Sequence, residues 1–218
     1  MQISCKLSVQ AMNSPDFNIP KKHADVTDSL LERILRLSGL SQRMVDVSRC
    51  SNLSRNCVNF LSLCQNILYL DMSYTAINSV DTLADNCLVI RSLYLCGTNL
   101  TTCESLSKMT SLELLNLSFS SFSNTTTLSP LIKLRSLDLG HSKINSIMGL
   151  SSMSRLEELL IDSSELRNQK YVKQSLEVLG SLKELKLLNV GGTELAAWTE
   201  QISPLASQDL YIDCSTRM

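Results

Sequence analysis

The chain has 218 residues, 44% of them hydrophobic, which is enough for one domain with a continuous core. Lysine plus arginine is 20 and aspartate plus glutamate 21, so the formal charge of −1 argues against the basic stripe of a nucleic-acid binder. No apolar run approaches the ~20 residues of a membrane-spanning helix, and polar residues interrupt every apolar stretch from Met1 to Pro20, so this stretch is not expected to act as a secretory signal. The expected setting is intracellular and cytoplasmic, without membrane insertion.

Residues 1–24, with Pro15, Pro20 and few apolar groups, read as a flexible N-terminal arm. Residues 25–41 hold an amphipathic capping helix: Leu30, Leu31, Ile34 and Leu35 share one face of Thr27–Leu37. Ser29 with Glu32 fits a capping box, and Gly39 is the expected stop. Such a helix would cover the apolar end of a stacked domain beginning at residue 42.

From residue 42 to 218 one phrase recurs: apolar, two free positions, apolar, free, apolar, two free, Ser or Thr, free, apolar. It reads Ile67–Leu70–Met72–Thr75–Ile77 and then Ile90–Leu93–Leu95–Thr98–Leu100. Later copies begin at Leu112, Leu134, Leu156 and Leu185, so the intervals are 23, 22, 22, 22 and 29 residues. A fixed period in this range marks a stacked leucine-rich-repeat solenoid of the α/β class, here of about eight turns. The alternation inside each phrase is a short core-facing strand, expected near 44–48, 69–73, 92–96, 114–118, 136–140, 158–162, 187–191 and 209–213. These strands should pair in parallel as one curved sheet, the concave face. The return segments keep a period of three, as in Ile144, Ile147, Leu150 and Met153, which suits 3₁₀ or extended turns. A hydroxyl at the ninth position can satisfy backbone groups of its own turn. The long turn between Leu166 and Leu185 carries the stripe Tyr171, Val172, Leu176 and Leu179 and predicts a convex helix over 169–179. Leu210 and Ile212 are expected as the inward residues of a last strand with no capping segment after it. Either the sequence is a fragment, or that open edge is expected to associate with a partner or a second copy.

The 22-residue turns with three-spaced return segments resemble the SDS22-like class of leucine-rich repeats. The stretch from Val45 to Cys64 instead resembles the cysteine-containing repeats of F-box and AMN1-type proteins, and the hydroxyls in place of asparagine resemble repeats of protist proteins. The resemblance covers roughly residues 42–214. It implies fold, and it says little about activity, because one solenoid serves many unrelated partners.

The cysteines follow the repeat rather than a disulfide framework: Cys64 and Cys87 each stand three residues before a first apolar position, and Cys103 fills an apolar slot. Reduced, buried thiols are expected. Cys50, Cys57 and Cys64 recur every seven residues, unlike the close pairs of structural zinc sites, and no phosphate-binding glycine loop is present, so no cofactor is expected.

Function is therefore sought on the concave face. The column between the strand apolars reads Asp46, Asp71, Tyr94, Asn116, Asp138, Leu160, Asn189, Tyr211, and the column before the ninth position reads Arg49, Tyr74, Gly97, Phe119, His141, Ser163, Gly192, Cys214. Tyr69 and Leu114 lie on the same face. Tyr69, Tyr74, Tyr94, Phe119 and His141 thus gather with Asp71, Asn116 and Asp138 on a chain that is only 5% aromatic. Exposed aromatics on a rigid platform are the usual anchors of protein interfaces; side chains on such a sheet can also simply pack on one another. Arg91 and Arg135, at the edge, are expected to pair with neighbouring acids. His141, Ser163, Asp138 and Asp162 supply triad-like residue types, but on an open sheet without an oxyanion hole or enclosing pocket, so the expectation is a non-enzyme. The reading is a module that binds another protein through its concave face. Its alternatives are a regulatory or adaptor subunit, of phosphatase-regulator or ubiquitin-ligase type as the resemblance implies, and an architectural subunit of a large assembly.

Overall fold

The computed structural model describes residues 16–18, 25–100, 103–166, 171–204 and 209–217. Nine strands form one parallel sheet in strict sequence order: β1 Asp16–Asn18, β2 Met44–Asp46, β3 Tyr69–Asp71, β4 Ser92–Tyr94, β5 Leu114–Asn116, β6 Ser136–Asp138, β7 Glu158–Leu160, β8 Leu187–Asn189 and β9 Tyr211–Asp213. Each connection returns over the opposite side, which makes a leucine-rich-repeat solenoid. Strands β2 to β9 fall in the expected windows. One more strand joins them from the stretch read as a loose arm: β1 pairs with β2 from Asp16↔Met44 to Asn18↔Asp46. The unpaired edge of β2 is a ready template for such an addition.

The last strand sits two residues later in register than its apolar pattern suggests. Ile212, not Leu210, pairs with Leu188, and Asp213 rather than Tyr211 takes the place of Asn189. Leu210 and Ile212 have the same parity, so the pattern alone cannot choose between the two registers.

Inward strand residues Val45, Leu70, Leu93, Leu115, Leu137, Leu159 and Leu188 are fully buried and stack as one continuous core. On the convex side, repeat length sets the form of the return. The longer early repeats accommodate helical turns at Cys57–Leu61 and Asp81–Asn86, whereas the 22-residue repeats carry 3₁₀ segments at Glu104–Lys108, Thr125–Leu128 and Met148–Leu150. The long turn before β8 holds a helix over Val172–Ser181; residues 169 and 170 of its expected span lie outside the described residues.

At the N-terminal end the helix Asp28–Leu37 buries Leu31, Ile34 and Leu35 against the first turn. Its cap is Thr27, whose hydroxyl accepts from the Leu30 N–H at 3.4 Å, not the Ser29–Glu32 box; Glu32 instead pairs with Arg36. Asp28 accepts from the Ser54 N–H at 2.9 Å and so ties the helix to the coil. Gly39 ends the helix at φ +67°, a conformation open to glycine at no steric cost.

The ninth-position hydroxyls behave as expected. Thr75, Thr98, Ser120, Ser142, Ser164 and Thr193 are buried, and each donates to the carbonyl three residues earlier at 2.5–2.7 Å.

Adjacent convex turns are packed to contact. A Cβ on Gly149 would lie 2.1 Å from the carbonyl oxygen of Thr125 in the preceding turn. Gly149→Ala should therefore lower unfolding free energy by about 1–3 kcal/mol in urea denaturation, the usual cost of overpacking.

Cys50, Cys57, Cys64, Cys87 and Cys103 are buried thiols. Burial pushes Cys50, Cys64 and Cys87 up to about 11, and Cys57 and Cys103 to about 12. At about pH 8 only around one in a thousand or fewer of these groups is thiolate, so all five should resist iodoacetamide in the folded chain and react on unfolding. Because the unfolded thiols ionise first, folded-state stability should fall as pH rises from about 9 toward 11, which denaturation at stepped pH would measure.

Candidate functional site

Each strand from β2 to β8 ends in a sharp turn whose third residue has positive φ: Arg49 (+58°), Tyr74 (+56°), Gly97 (+64°), Phe119 (+52°), His141 (+54°), Ser163 (+53°) and Gly192 (+69°). These are the residues of the column before the ninth position. Turns with positive φ at this place ordinarily take glycine, and an L-residue there costs of order 1–2 kcal/mol. The backbone ladder still runs through the turn, as in Tyr74 N–H to the Cys96 carbonyl (2.7 Å) and His141 N–H to the Asp162 carbonyl (2.8 Å). The column is held rigidly along one margin of the concave face.

The neighbouring column of Asp46, Asp71, Asn116, Asp138, Asn189 and Asp213 braces these turns. Each carboxylate or amide oxygen accepts from the backbone N–H two residues on, at 2.8–3.0 Å. Tyr94 and Leu160 interrupt the series.

The structure divides the expected cluster into three groups. In the first, the Arg49 guanidinium lies 4.5 Å from the centroid of the Tyr74 ring. Tyr74 in turn lies over Gly97, where a Cβ would come within 2.5 Å of the ring, and the Cys96 thiol meets its hydroxyl at 3.3 Å. In the second, Tyr69 and Tyr94 pack with ring centroids 5.2 Å apart, beside Asp71. Partial burial, then the Asp71 charge, pushes the Tyr69 phenol up to about 12; burial likewise raises Asp71 and Tyr94.

The third group is Phe119 stacked on His141, with centroids 4.2 Å apart and planes 11° from parallel. Here the chain meets itself, because the segment after β9 crosses back over the face. Arg217 forks onto Asp138 through Nη1 and Nη2, both at 2.8 Å, and reaches Asp162 through Nε (3.0 Å) and Nη2 (2.6 Å). Its N–H donates to Asp162 Oδ2 at 3.3 Å, and its carbonyl accepts from His141 Nε2 at 2.7 Å. The imidazole thus serves a backbone carbonyl, with Asp162 Oδ2 3.7 Å away. Asn116 joins through Nδ2 to Asp138 Oδ2 at 3.2 Å.

All eight expected residues line this face, though not as one cluster. Arg49, Cys96, Asp162 and Arg217 complete the groups. Asp162 carries a visible signal: it occupies a column otherwise filled by Ser48, Ser73, Cys96, Ser118, Gly140, Gly191 and Ser215. Arg217 carries none, being 79 residues from Asp138. At the opposite margin Arg91 meets Glu113 at 3.5 Å, and Arg135 and Lys186 share Glu157, the exposed pairing expected there.

No family model matches the chain, and no curated protein matches it in sequence. Solved structures do. An internalin of Listeria monocytogenes (inlF) is 18% identical, with a TM-score of 0.64 over 83% of this chain and 63% of its own. Internalin C2 of the same organism is 19% identical, with a TM-score of 0.63 over 86% of this chain and 73% of its own. A leucine-rich-repeat protein of Leptospira interrogans is 16% identical, with a TM-score of 0.61 over 83% of this chain and 50% of its own. The chain has the leucine-rich-repeat fold. Among the described residues no helix is long and apolar enough to cross a membrane.

The Tyr69 group can be tested by titration. Asp71→Asn removes a negative charge that disfavours the phenolate, so the Tyr69 midpoint should drop from about 12. It should stay above the ordinary tyrosine value of about 10, because burial remains. Carbon-13 NMR of the tyrosine Cζ would follow both midpoints.

Proposed function

We propose that this chain is a non-enzymatic protein-binding module whose concave face docks a partner protein. One observation carries the reading: bulky aromatics occupy strained, exposed positions. Tyr74 is 44% exposed and Phe119 39% exposed, and both stand at positive φ in a column where Gly97, Ser163 and Gly192 serve the same turn. Neither ring is needed to fill the core, and strain kept where packing does not require it points toward function. Each is braced from the side, Tyr74 by Arg49 and Phe119 by His141, so little side-chain freedom is left to lose on binding. The two rings stand two strands apart, roughly 10 Å at ordinary strand spacing, a width suited to an extended segment or one helix face.

Tyr74→Ala with Phe119→Ala keeps both β-carbons, hence the same backbone demand, and removes only the rings. Affinity capture from the native source should show loss of a stoichiometric partner, with at least ~30-fold weaker binding if the rings are anchors. The thermal midpoint should move by no more than ~2 °C, as for other surface changes. Full retention of the same partners would sink the concave-face reading and favour an architectural role through the convex side and the ends.

A further inference from the structure

The geometry points to a guanidinium-recognition site on the concave face, built from Asp138, Asp162 and His141, which segment Cys214–Arg217 occupies in cis. The partner it fits is an extended segment bearing an arginine, which would displace Arg217. This inference rests on the concave face being the docking surface.

The site has features that strand packing does not explain. Asp138 already braces its turn through Oδ1 to the Gly140 N–H at 3.0 Å, yet both its oxygens also face the same guanidinium. Asp162 has no bracing role in its strand: the bracing position of that coil is Leu160, and the acid stands two residues later, where the other coils place small residues. Its side chain is 0% exposed beneath Arg217. Two carboxylates brought together away from water need a cation, and a planar fork that can serve both at once is the particular property of arginine. The resulting contacts hold the guanidinium firmly in its charged form, Asp138 contributing most.

A path for backbone is also present. A Cβ at Gly140 would lie 2.1 Å from Arg217 Nη2, and a Cβ at Gly191 would lie 2.0 Å from the Ser215 carbonyl oxygen. The small-residue column is thus reduced to glycine at two places where the crossing segment presses on it. His141 Nε2 fixes the carbonyl of the arginine itself, so the site reads one side chain and one backbone group of the same residue. Cys214–Arg217 contains no helix or strand, so its hold on the sheet is made by these polar contacts and by close packing over Gly191 and Gly192. Such an occupant is exchangeable. An intramolecular segment acts at an effective concentration in the millimolar range or above, which sets the threshold a competing arginine must exceed.

The test uses the full chain and a blocked peptide, acetyl-Asp-Ser-Ser-Thr-Arg-amide, which matches residues 213–217 with serine for the cysteine. Nitrogen-15 NMR would follow the amides of Gly140, His141 and Asp162. With Arg217→Ala, the peptide should shift all three saturably at millimolar concentration, and wild type should need at least tenfold more peptide. Replacing the peptide's arginine by lysine should weaken binding severalfold, and replacing it by alanine should abolish it. Arg217→Lys, which keeps the charge and loses the fork, provides the same comparison if the alanine variant loses its dispersed spectrum. Absence of shifts in both variants, equal binding by wild type and variant, or equal binding of the arginine and alanine peptides would overturn the proposal. The two readings fail separately. A partner lost by the Tyr74/Phe119 variant without peptide binding to Arg217→Ala removes only the guanidinium site. Peptide binding with that partner retained leaves the guanidinium site standing and removes Tyr74 and Phe119 as anchors.

Discussion

A buried carbonyl at the end of each strand governs this coil. The chain must leave the sheet there and enter the core side without stranding that oxygen away from water, where an unmet acceptor costs roughly 1–3 kcal/mol. In six coils a hydroxyl three residues later closes the bond, as Thr75 does for Met72 and Ser142 for Leu139, and in the first the Cys50 N–H meets the Val47 carbonyl. The turn that brings this residue back to the carbonyl is tight, and the residue before it stands at positive φ, Arg49 ahead of Cys50 as much as Tyr74 ahead of Thr75. The margin of the concave face is therefore a by-product of satisfying the core. The residues it displays, Tyr74, Phe119 and His141 among them, are placed by backbone geometry and then braced by side-chain contacts.

That dependence explains what could be read from the sequence. Apolar periodicity reports the inward residues directly, so β2 to β9, the hydroxyl column and the three-spaced return segments were all legible. β1 was not, because three residues paired at an edge leave no repeat to detect. The register of β9 was ambiguous because Leu210 and Ile212 share a parity, and only the ladder to Leu188 decides. The aromatic column was visible as a set of residues. Its division into three groups depends on side-chain directions that only the turn geometry fixes: Tyr74 swings over Gly97, and Phe119 swings onto His141.

Asp162 and Arg217 mark the boundary of what repeats can teach. A repeat pattern describes how each coil meets its neighbour, and it exposes Asp162 as an irregularity in its column. It cannot describe a segment that leaves the pattern and returns over it. The three groups also differ in chemistry along the face, from Arg49 and Tyr74 through a half-buried tyrosine pair to paired carboxylates beside an imidazole. A surface graded in this way can orient what lies on it.

The reach of Arg217 has a mechanical side. Side-chain hydrogen bonds between neighbouring described coils join residues 21 to 30 apart in sequence, whereas those of Arg217 and its carbonyl span 55 to 79. A stack held only by nearest neighbours frays one coil at a time from its ends. Tying residue 217 back to β6 and the β7 turn couples the coils from β6 to β9 beyond their nearest neighbours. Release of one guanidinium would return that end of the solenoid to unzipping strand by strand.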